Sequence, residues 1–310
     1  MEINWFSCYQ IILIILSSSC HFYFCATIKP TNFDDERFKL NNSNSSQRNA
    51  TRARLKLELK NCGLNQMKDL SSKLRIIGGR EVVKGNWPWQ VALLNHFREP
   101  FCGGTLITPS FVLTAAHCVR RRLYIRAGEH DLMTNEGTEQ EVKVDHVFIH
   151  PSFDRETVDS DVALLRLKVP FKLGKFVATA CLPSRKDEIP IDSFGTILGW
   201  GKKKNSALFG TDVLHQARVP IVNISECRNV YEDYFISNNM FCAGYRSGRV
   251  DSCAGDSGGP LLFQKRSRWY IYGITSFGEG CGRREKYGIY AKVPNFVKWI
   301  RRVIHKHSYR

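Results

Sequence analysis

A serine between glycines, a histidine in a turn of small residues and an aspartate at the mouth of an apolar run are the residues here best suited to act together. The serine lies in Asp251-Ser252-Cys253-Ala254-Gly255-Asp256-Ser257-Gly258-Gly259-Pro260. A serine hydroxyl is a weak nucleophile, so it needs a base to take its proton and backbone donors aimed at the oxyanion. The glycines around Ser257 let the backbone bend so that amide N–H groups, those of Gly255 and Ser257, point into one small space. Read alone, the stretch is equally a Gly/Ser/Asp turn between two strands. The base is found in Phe111-Val112-Leu113-Thr114-Ala115-Ala116-His117-Cys118, and the acid in Asp159-Ser160-Asp161-Val162-Ala163-Leu164-Leu165-Arg166-Leu167.

The order His, Asp, Ser and the residues around each resemble the trypsin/chymotrypsin-like serine proteases. The resemblance runs from Ile76 to about Ile304 and extends to the clotting-type regulatory members. It implies that His117 is general base toward Ser257 and then acid toward the leaving amine, with Asp161 holding its tautomer. Asp159 competes with Asp161 on composition; the family pattern selects Asp161, because the Val-Ala-Leu-Leu run follows it directly. The resemblance also places Asp251, six residues before Ser257, at the floor of the primary pocket, pairing with an arginine or lysine of the substrate. Ser252 would add a hydroxyl for a lysine ammonium, and Gly278 and Gly288 match glycines that keep the pocket walls bare. Ala254 and Phe277 depart from the family's usual residues along the extended cleft.

Lys73-Leu74-Arg75-Ile76-Ile77-Gly78-Gly79 reads as a basic linker entering a strand, but it matches the family's activation site. Cleavage after Arg75 would free the amine of Ile76 to pair with Asp256. Eleven cysteines are an extracellular number. The resemblance implies the pairs Cys102 with Cys118, Cys227 with Cys242, Cys253 with Cys281, and Cys62 with Cys181, the last tethering the pro-segment after cleavage. Zinc is the alternative for cysteines, but no Cys-x-x-Cys pair exists.

Ile11-Ile12-Leu13-Ile14-Ile15-Leu16 followed by three serines reads as a signal peptide, residues 1–26, and hence a secreted protein. Extended through Ala26, the same stretch approaches a signal anchor that would tether the protein to a membrane. Residues 27–75 are rich in Asn, Ser, Arg and Lys and read as a largely disordered pro-segment. It carries glycosylation sequons at Asn41, Asn44 and Asn49, and a fourth stands at Asn223. The protease domain is expected over 76–310.

Two ion sites follow from the resemblance, although the chemistry itself needs no cofactor. Glu129, Asp131, Thr134, Glu136 and Glu139 match the family's calcium loop, an oxygen set suited to a hard cation; a solvated acidic loop is the alternative. Tyr287 stands where clotting-type proteases use tyrosine in sodium binding. The chain's charge is +16, and residues 1–75 hold 11 Lys/Arg and 6 Asp/Glu, which leaves +11 for the rest. Clusters at Arg120-Arg121-Arg122, Lys202-Lys203-Lys204, Lys265-Arg266-Ser267-Arg268 and Arg283-Arg284 could bind a heparin-like polyanion, or simply be solvated. No nucleic-acid module is present.

The elements that must hold these groups are mostly short strands. Gln90–Leu94, Gly104–Ile107, Leu123–Ala127, Val142–Val147 and Thr196–Trp200 are β-branched or alternating runs broken by Gly, Pro and Asn. Such punctuation suggests a barrel or sandwich. The resemblance selects an all-β fold of two packed six-stranded antiparallel barrels with the cleft between them. Phe296, Val297, Ile300, Val303 and Ile304 share a face at helical spacing, which predicts a closing C-terminal helix.

Together these readings make the chain a secreted zymogen of a trypsin-like endopeptidase cleaving after Arg or Lys in limited, regulatory proteolysis. Its partners would be protein substrates, an activating trypsin-like protease and protein inhibitors. The alternative is a catalytically silent homologue acting as a binding protein. Such a homologue usually lacks a triad member, whereas His117, Asp161 and Ser257 are all present.

Overall fold

Closure of strands into rings is what brings residues far apart in sequence to one cleft. In the computed structural model, the residues described are 61–65, 79–201, 210–248, 255–280 and 282–308. The first ring joins β2 (Gln90–Leu94), β3 (Pro100–Thr108), β4 (Phe111–Thr114), β7 (Ala163–Leu167), β6 (Gln140–Ile149) and β5 (Tyr124–Ala127) into a closed antiparallel barrel. The second joins β9 (His215–Val222), β10 (Met240–Ala243), β13 (Gly288–Lys292), β12 (Arg268–Phe277), β11 (Pro260–Lys265) and β8 (Phe194–Gly199). Pairing of β8 with β9 closes this six-stranded ring, and β1 (Arg80–Glu81) hangs on the outside of β9. The architecture is the all-β pair of six-stranded barrels that the resemblance implies.

Each barrel is sealed by its inward side chains. All five residues of β2 are buried, as are all four of β4, because these strands face protein on both sides. The expected strand at 90–94 matches β2 end to end, and those at 104–107, 123–127, 142–147 and 196–200 coincide with observed strands whose ends differ by a residue or more. The predicted C-terminal helix is α2 (Val293–His307), which follows the short α1 (Ile224–Val230). Phe296, Val297, Ile300, Val303 and Ile304 are buried along one side of α2, joined by Val293 and Pro294. Removing a side chain such as Ile300 from water contributes about 1.5–3 kcal/mol, which fastens the helix to the barrels.

One register matters most for the site. In the β4–β7 pair Thr114 lies opposite Ala163. His117 follows Thr114 by one turn and Asp161 precedes Ala163 by two residues, so imidazole and carboxylate leave the barrel side by side.

Disulfides join Cys102 to Cys118, Cys227 to Cys242 and Cys62 to Cys181. The last anchors the segment 61–65, which is also held by backbone bonds. Gly63 N–H donates to Thr179 O (2.7 Å), Trp269 N–H donates to Gly63 O (2.9 Å), and the Arg268 guanidinium donates to Cys62 O (2.7 Å).

Candidate active site

His117 occupies the three-residue 3-10 turn Ala116–Cys118 that ends β4. The turn is pinned by Cys118 N–H on Ala115 O (3.2 Å) and by the Cys102–Cys118 bridge. Asp161 is 1% exposed. A buried carboxylate is costly unless its oxygens are satisfied, and here they are. Oδ1 accepts the His117 backbone N–H at 2.9 Å, Oδ2 lies 2.7 Å from His117 Nδ1, and Ser276 Oγ donates to Oδ2 from β12. Facing a carboxylate that only accepts, a neutral imidazole here carries its proton on Nδ1 and presents a lone pair at Nε2. That is the tautomer a general base requires.

The Ser257 loop is fitted against the same turn from the second barrel. Ser257 O accepts Gly103 N–H at 2.8 Å, and Gly258 N–H donates to Thr275 O at 2.8 Å. Gly258 has φ +77°, and a Cβ there would fall 2.2 Å from Thr114 Oγ1 and 2.6 Å from Gly103 O. Only glycine lets the loop come this close to the His117 turn. Among the described residues Nε2 makes no hydrogen bond to the Ser257 hydroxyl; its contact is with Cys118 Sγ, at 3.7 Å. Base-to-nucleophile bonds are often long in free enzymes and tighten when substrate is bound.

Asp256 is cradled by two glycines. Its Oδ1 accepts Gly201 N–H at 2.8 Å. A Cβ at Gly199 would stand 1.7 Å from that oxygen, and one at Gly201 2.5 Å from Asp256 Cγ. The carboxylate next to Ser257 therefore has a place built for it at the end of β8. Gly278 and Gly288 lie at the end of β12 and the start of β13; at Gly278 a Cβ would meet nothing closer than 3.5 Å. Packing within the fold does not demand glycine at Gly278, which suits a wall kept bare for a ligand. Phe277 stacks on Tyr234, with ring centroids 6.2 Å apart.

A protein-family model described as Trypsin matches residues 76–300 of the sequence. This chain belongs to the trypsin family of serine endopeptidases. Vitamin K-dependent protein C of Oryctolagus cuniculus is 39% identical over 236 residues, covering 73% of this chain and 51% of its own length. Vitamin K-dependent protein C of Mus musculus is 38% identical over 266 residues, covering 82% and 56%. The chain spans about half the length of these relatives.

Several site residues of this trypsin-family chain that the sequence points to fall outside the described residues. They are Asp251 and Ser252, Arg75 and Ile76, Cys253, Ala254 and Cys281, and the sequons at Asn41, Asn44 and Asn49. Other residues at the site were not singled out for it by the sequence, Arg120 being read there only as part of a basic cluster. Ser276 stands at the end of a β-branched run, Gly199 and Gly201 flank Trp200, and Arg120 donates to His117 O at 2.8 Å while lying over the Phe101 ring.

Of the five residues matched to a calcium loop, three converge. The carboxylates of Glu129, Glu136 and Glu139 have oxygens within 4.8 Å of one another. Asp131 and Thr134 instead bond to each other, Thr134 Oγ1 to Asp131 Oδ2 at 2.9 Å. Burial pushes the Glu129 carboxyl up, against the pull of Arg126 at 3.1 Å. Burial works the same way on Glu139, but backbone N–H donors outweigh it and hold that carboxyl below its usual value. Lys84 pairs with Glu136 at 3.1 Å. An all-oxygen, triply acidic set fits a hard divalent ion, which would compete with Arg126 and Lys84 for it.

Tyr287 is 2% exposed, and its hydroxyl donates to Glu226 at 2.6 Å. Burial and the Glu226 charge push its phenol up to about 12. Tyr231 donates its hydroxyl to Tyr287 O, so Tyr287 braces the strand that starts at Gly288. Asn223 is exposed and caps α1, its Oδ1 accepting Ser225 N–H at 3.0 Å; that bond uses only the amide oxygen and leaves Nδ2, the atom a glycan would take. In the basic clusters, Lys265 pairs with Asp187 at 3.2 Å and Arg283 with Glu279. Lys202, Lys203 and Lys204 lie outside the described residues.

Proposed function

We propose that this chain is the zymogen of a secreted endopeptidase that cleaves after Arg or Lys in limited, regulatory proteolysis, with residues 1–26 as signal peptide, 27–75 as pro-segment and 76–310 as protease domain. The observation that carries the reading is the buried Asp161 bonded to His117 Nδ1, set against the loop of Ser257. In the proposed reaction His117 Nε2 takes the Ser257 proton as Oγ attacks the substrate carbonyl. The oxyanion accepts N–H bonds from Gly255 and Ser257, each donor being worth about 2.7–4 kcal/mol. His117 then gives its proton to the leaving amine, and water repeats the sequence to release the acyl group. Asp161 stabilises the imidazolium throughout.

Specificity would rest on Asp251. A neutral side chain entering the pocket would leave that carboxylate unpaired, whereas Arg or Lys would satisfy it. Activation would begin with cleavage after Arg75, by another trypsin-like protease, and the Ile76 amine would join Asp256 in its cradle beside Gly201. The Cys62–Cys181 bridge supports a pro-segment that stays attached. Glu129, Glu136 and Glu139 would hold calcium as a structural tie, supplying no chemistry to the cleavage. The sodium reading rests on Tyr287 alone. Protein inhibitors, a heparin-like polyanion at the basic clusters and glycans at the four sequons complete the proposal. Among the described residues no helix is long and apolar enough to cross a membrane.

The test is hydrolysis of peptide amides ending in Arg, Lys, Phe or Ala, before and after cleavage at Arg75. Activity toward Arg and Lys alone, appearing on cleavage and absent from Ser257→Ala, is expected. Inert protein after verified cleavage would overturn the enzyme reading for these substrates and favour the binding homologue.

A further inference from the structure

We propose that Asp159 is a positioning residue that keeps the His117–Asp161 pair in register by clamping its loop to the second barrel; this rests on the reading of that pair as base and acid. The loop entering β7 is unusual in its backbone. Val158 and Ser160 both have positive φ, 57° and 56°. A β-branched residue in that region is an outlier and persists only where its surroundings impose it.

The surroundings that impose it belong to the other barrel. Between these two residues, Asp159 turns its carboxylate onto the segment that leads into β10. Ser237 Oγ donates to Oδ1, and Asn239 Nδ2 lies 3.3 Å from Oδ1 and 3.2 Å from Oδ2. Ser160 Oγ donates to Oδ2 at 3.0 Å and lies 3.3 Å from the same Asn239 nitrogen. Asn239 is fixed in turn from three directions. Its N–H donates to Ser237 Oγ (3.0 Å), its carbonyl accepts Lys292 N–H (2.7 Å), and its Oδ1 accepts Asn295 Nδ2 (3.0 Å) from the first turn of α2.

On the far side of Ser160 the same loop closes tightly around Asp161. Val162 N–H donates to Ser160 O at 2.7 Å, and His150 N–H donates to Val162 O at 2.9 Å. Asp161 thus sits in a turn whose entry is fastened to the second barrel by Asp159, while Ser276, also from that barrel, holds the Asp161 carboxylate. Among the described residues Asp159 has no Lys or Arg partner; its holders are neutral donors, which set direction rather than charge balance. Barrel-to-barrel movement would pass first through this clamp to Asp161 and then to His117.

The experiment compares the activated protein with Asp159→Ala, Asn239→Ala, Ser237→Ala, Asp159→Asn and the double variant Asp159→Ala/Asn239→Ala. Two readouts are taken: kcat and KM on an Arg-terminated peptide amide, and the low-field proton NMR resonance of the His117 Nδ1–H shared with Asp161. Asp159→Ala and Asn239→Ala are each expected to lower kcat by about 10- to 100-fold with KM within about two-fold, and to shift or broaden the resonance. The double variant should be no worse than the worse single one, because both remove one clamp. Asp159→Asn keeps an acceptor oxygen for Ser237 but sets its NH2 against Asn239 Nδ2, so it should recover the rate only in part, above Asp159→Ala. An unmoved resonance in Asp159→Ala overturns the proposal, whether or not kcat falls, because a merely structural loss leaves the pair's geometry alone. If Asp159→Ala does not fold, Asn239→Ala and Ser237→Ala, which each delete one neutral group, decide by the same readouts. If the unmutated protein fails to cleave the amide, the resonance alone decides, so failure of the enzyme reading is told apart from failure of the clamp.

Discussion

Gly199→Ala is the sharpest test of how the Ser257 loop is held. The new Cβ would stand 1.7 Å from Asp256 Oδ1 and 2.6 Å from Cγ. Real contacts of this kind stay above 3.0 Å, so the carboxylate must retreat by more than about 1 Å, a misplacement that can cost about 100-fold in rate. The retreat breaks its 2.8 Å bond from Gly201 N–H, a hydrogen bond to a charged group worth about 1.5–3 kcal/mol. Asp256 is bonded directly to Ser257 in the chain, so under the proposed mechanism its displacement would also turn the Gly255 and Ser257 N–H groups away from the oxyanion. One donor lost costs about 100- to 1,000-fold in kcat. We therefore expect Gly199→Ala to fold, to lose about 1.5–3 kcal/mol in urea unfolding, and to show kcat lowered by about 100-fold or more on an Arg-terminated amide. Enzyme concentration would be fixed by absorbance and folded fraction by near-ultraviolet circular dichroism. A folded variant with unchanged kcat would refute the idea that the Gly199–Gly201 cradle sets the Ser257 loop.

Other expectations follow from single contacts. Ser276→Ala takes one donor from a carboxylate that is 1% exposed and should cost about 1–3 kcal/mol in chemical unfolding at neutral pH; an unchanged midpoint and slope would contradict it. Burial holds the His150 imidazole below its ordinary 6.5, with Asp159 opposing. The unfolded chain then takes up a proton the folded one resists, so the His150 contribution is complete above 6.5 and is lost as pH falls from there through the folded value. The drop in Tm between neutral and mildly acid pH should be smaller in His150→Gln than in the parent, and equal drops would sink the assignment. The Cys102–Cys118 bridge spans a sequence separation of 16 and seats the His117 turn; Cys102→Ser with Cys118→Ser should lose about 3 kcal/mol of stability, measured by urea unfolding. Calcium should raise the Tm of the parent and leave that of Glu139→Gln unmoved, because Glu139 is one of only three carboxylates that converge.

Much of the fold could be read along the chain because barrels and helices write their periods locally. The run Gln90–Leu94, broken off by turn residues, marked a strand, and the spacing of Phe296, Val297, Ile300, Val303 and Ile304 marked the inner face of α2. Loop contacts leave no such period. Nothing in the residues around Ser276 tells that its hydroxyl meets a carboxylate 115 positions away, or that Asn239 grips Asp159 across 80. The acidic loop shows the same limit: five candidate ligands stand close in sequence, but Asp131 and Thr134 turn to each other and only Glu129, Glu136 and Glu139 meet.

By itself the sequence named the candidate groups: the Gly-Asp-Ser-Gly-Gly context suits a bent backbone at Ser257, while the small-residue turn of His117 and the apolar run after Asp161 carry a family resemblance that selects Asp161 where composition leaves Asp159 equally open. Tertiary structure alone decided how those groups are held. The β4–β7 register puts His117 beside Asp161, and the second barrel supplies Ser276 to Asp161 and Asn239 to the neighbouring Asp159. A buried carboxylate is stable only when every oxygen finds a donor, and in a two-barrel cleft those donors come from whichever strands the closing of the rings brings near.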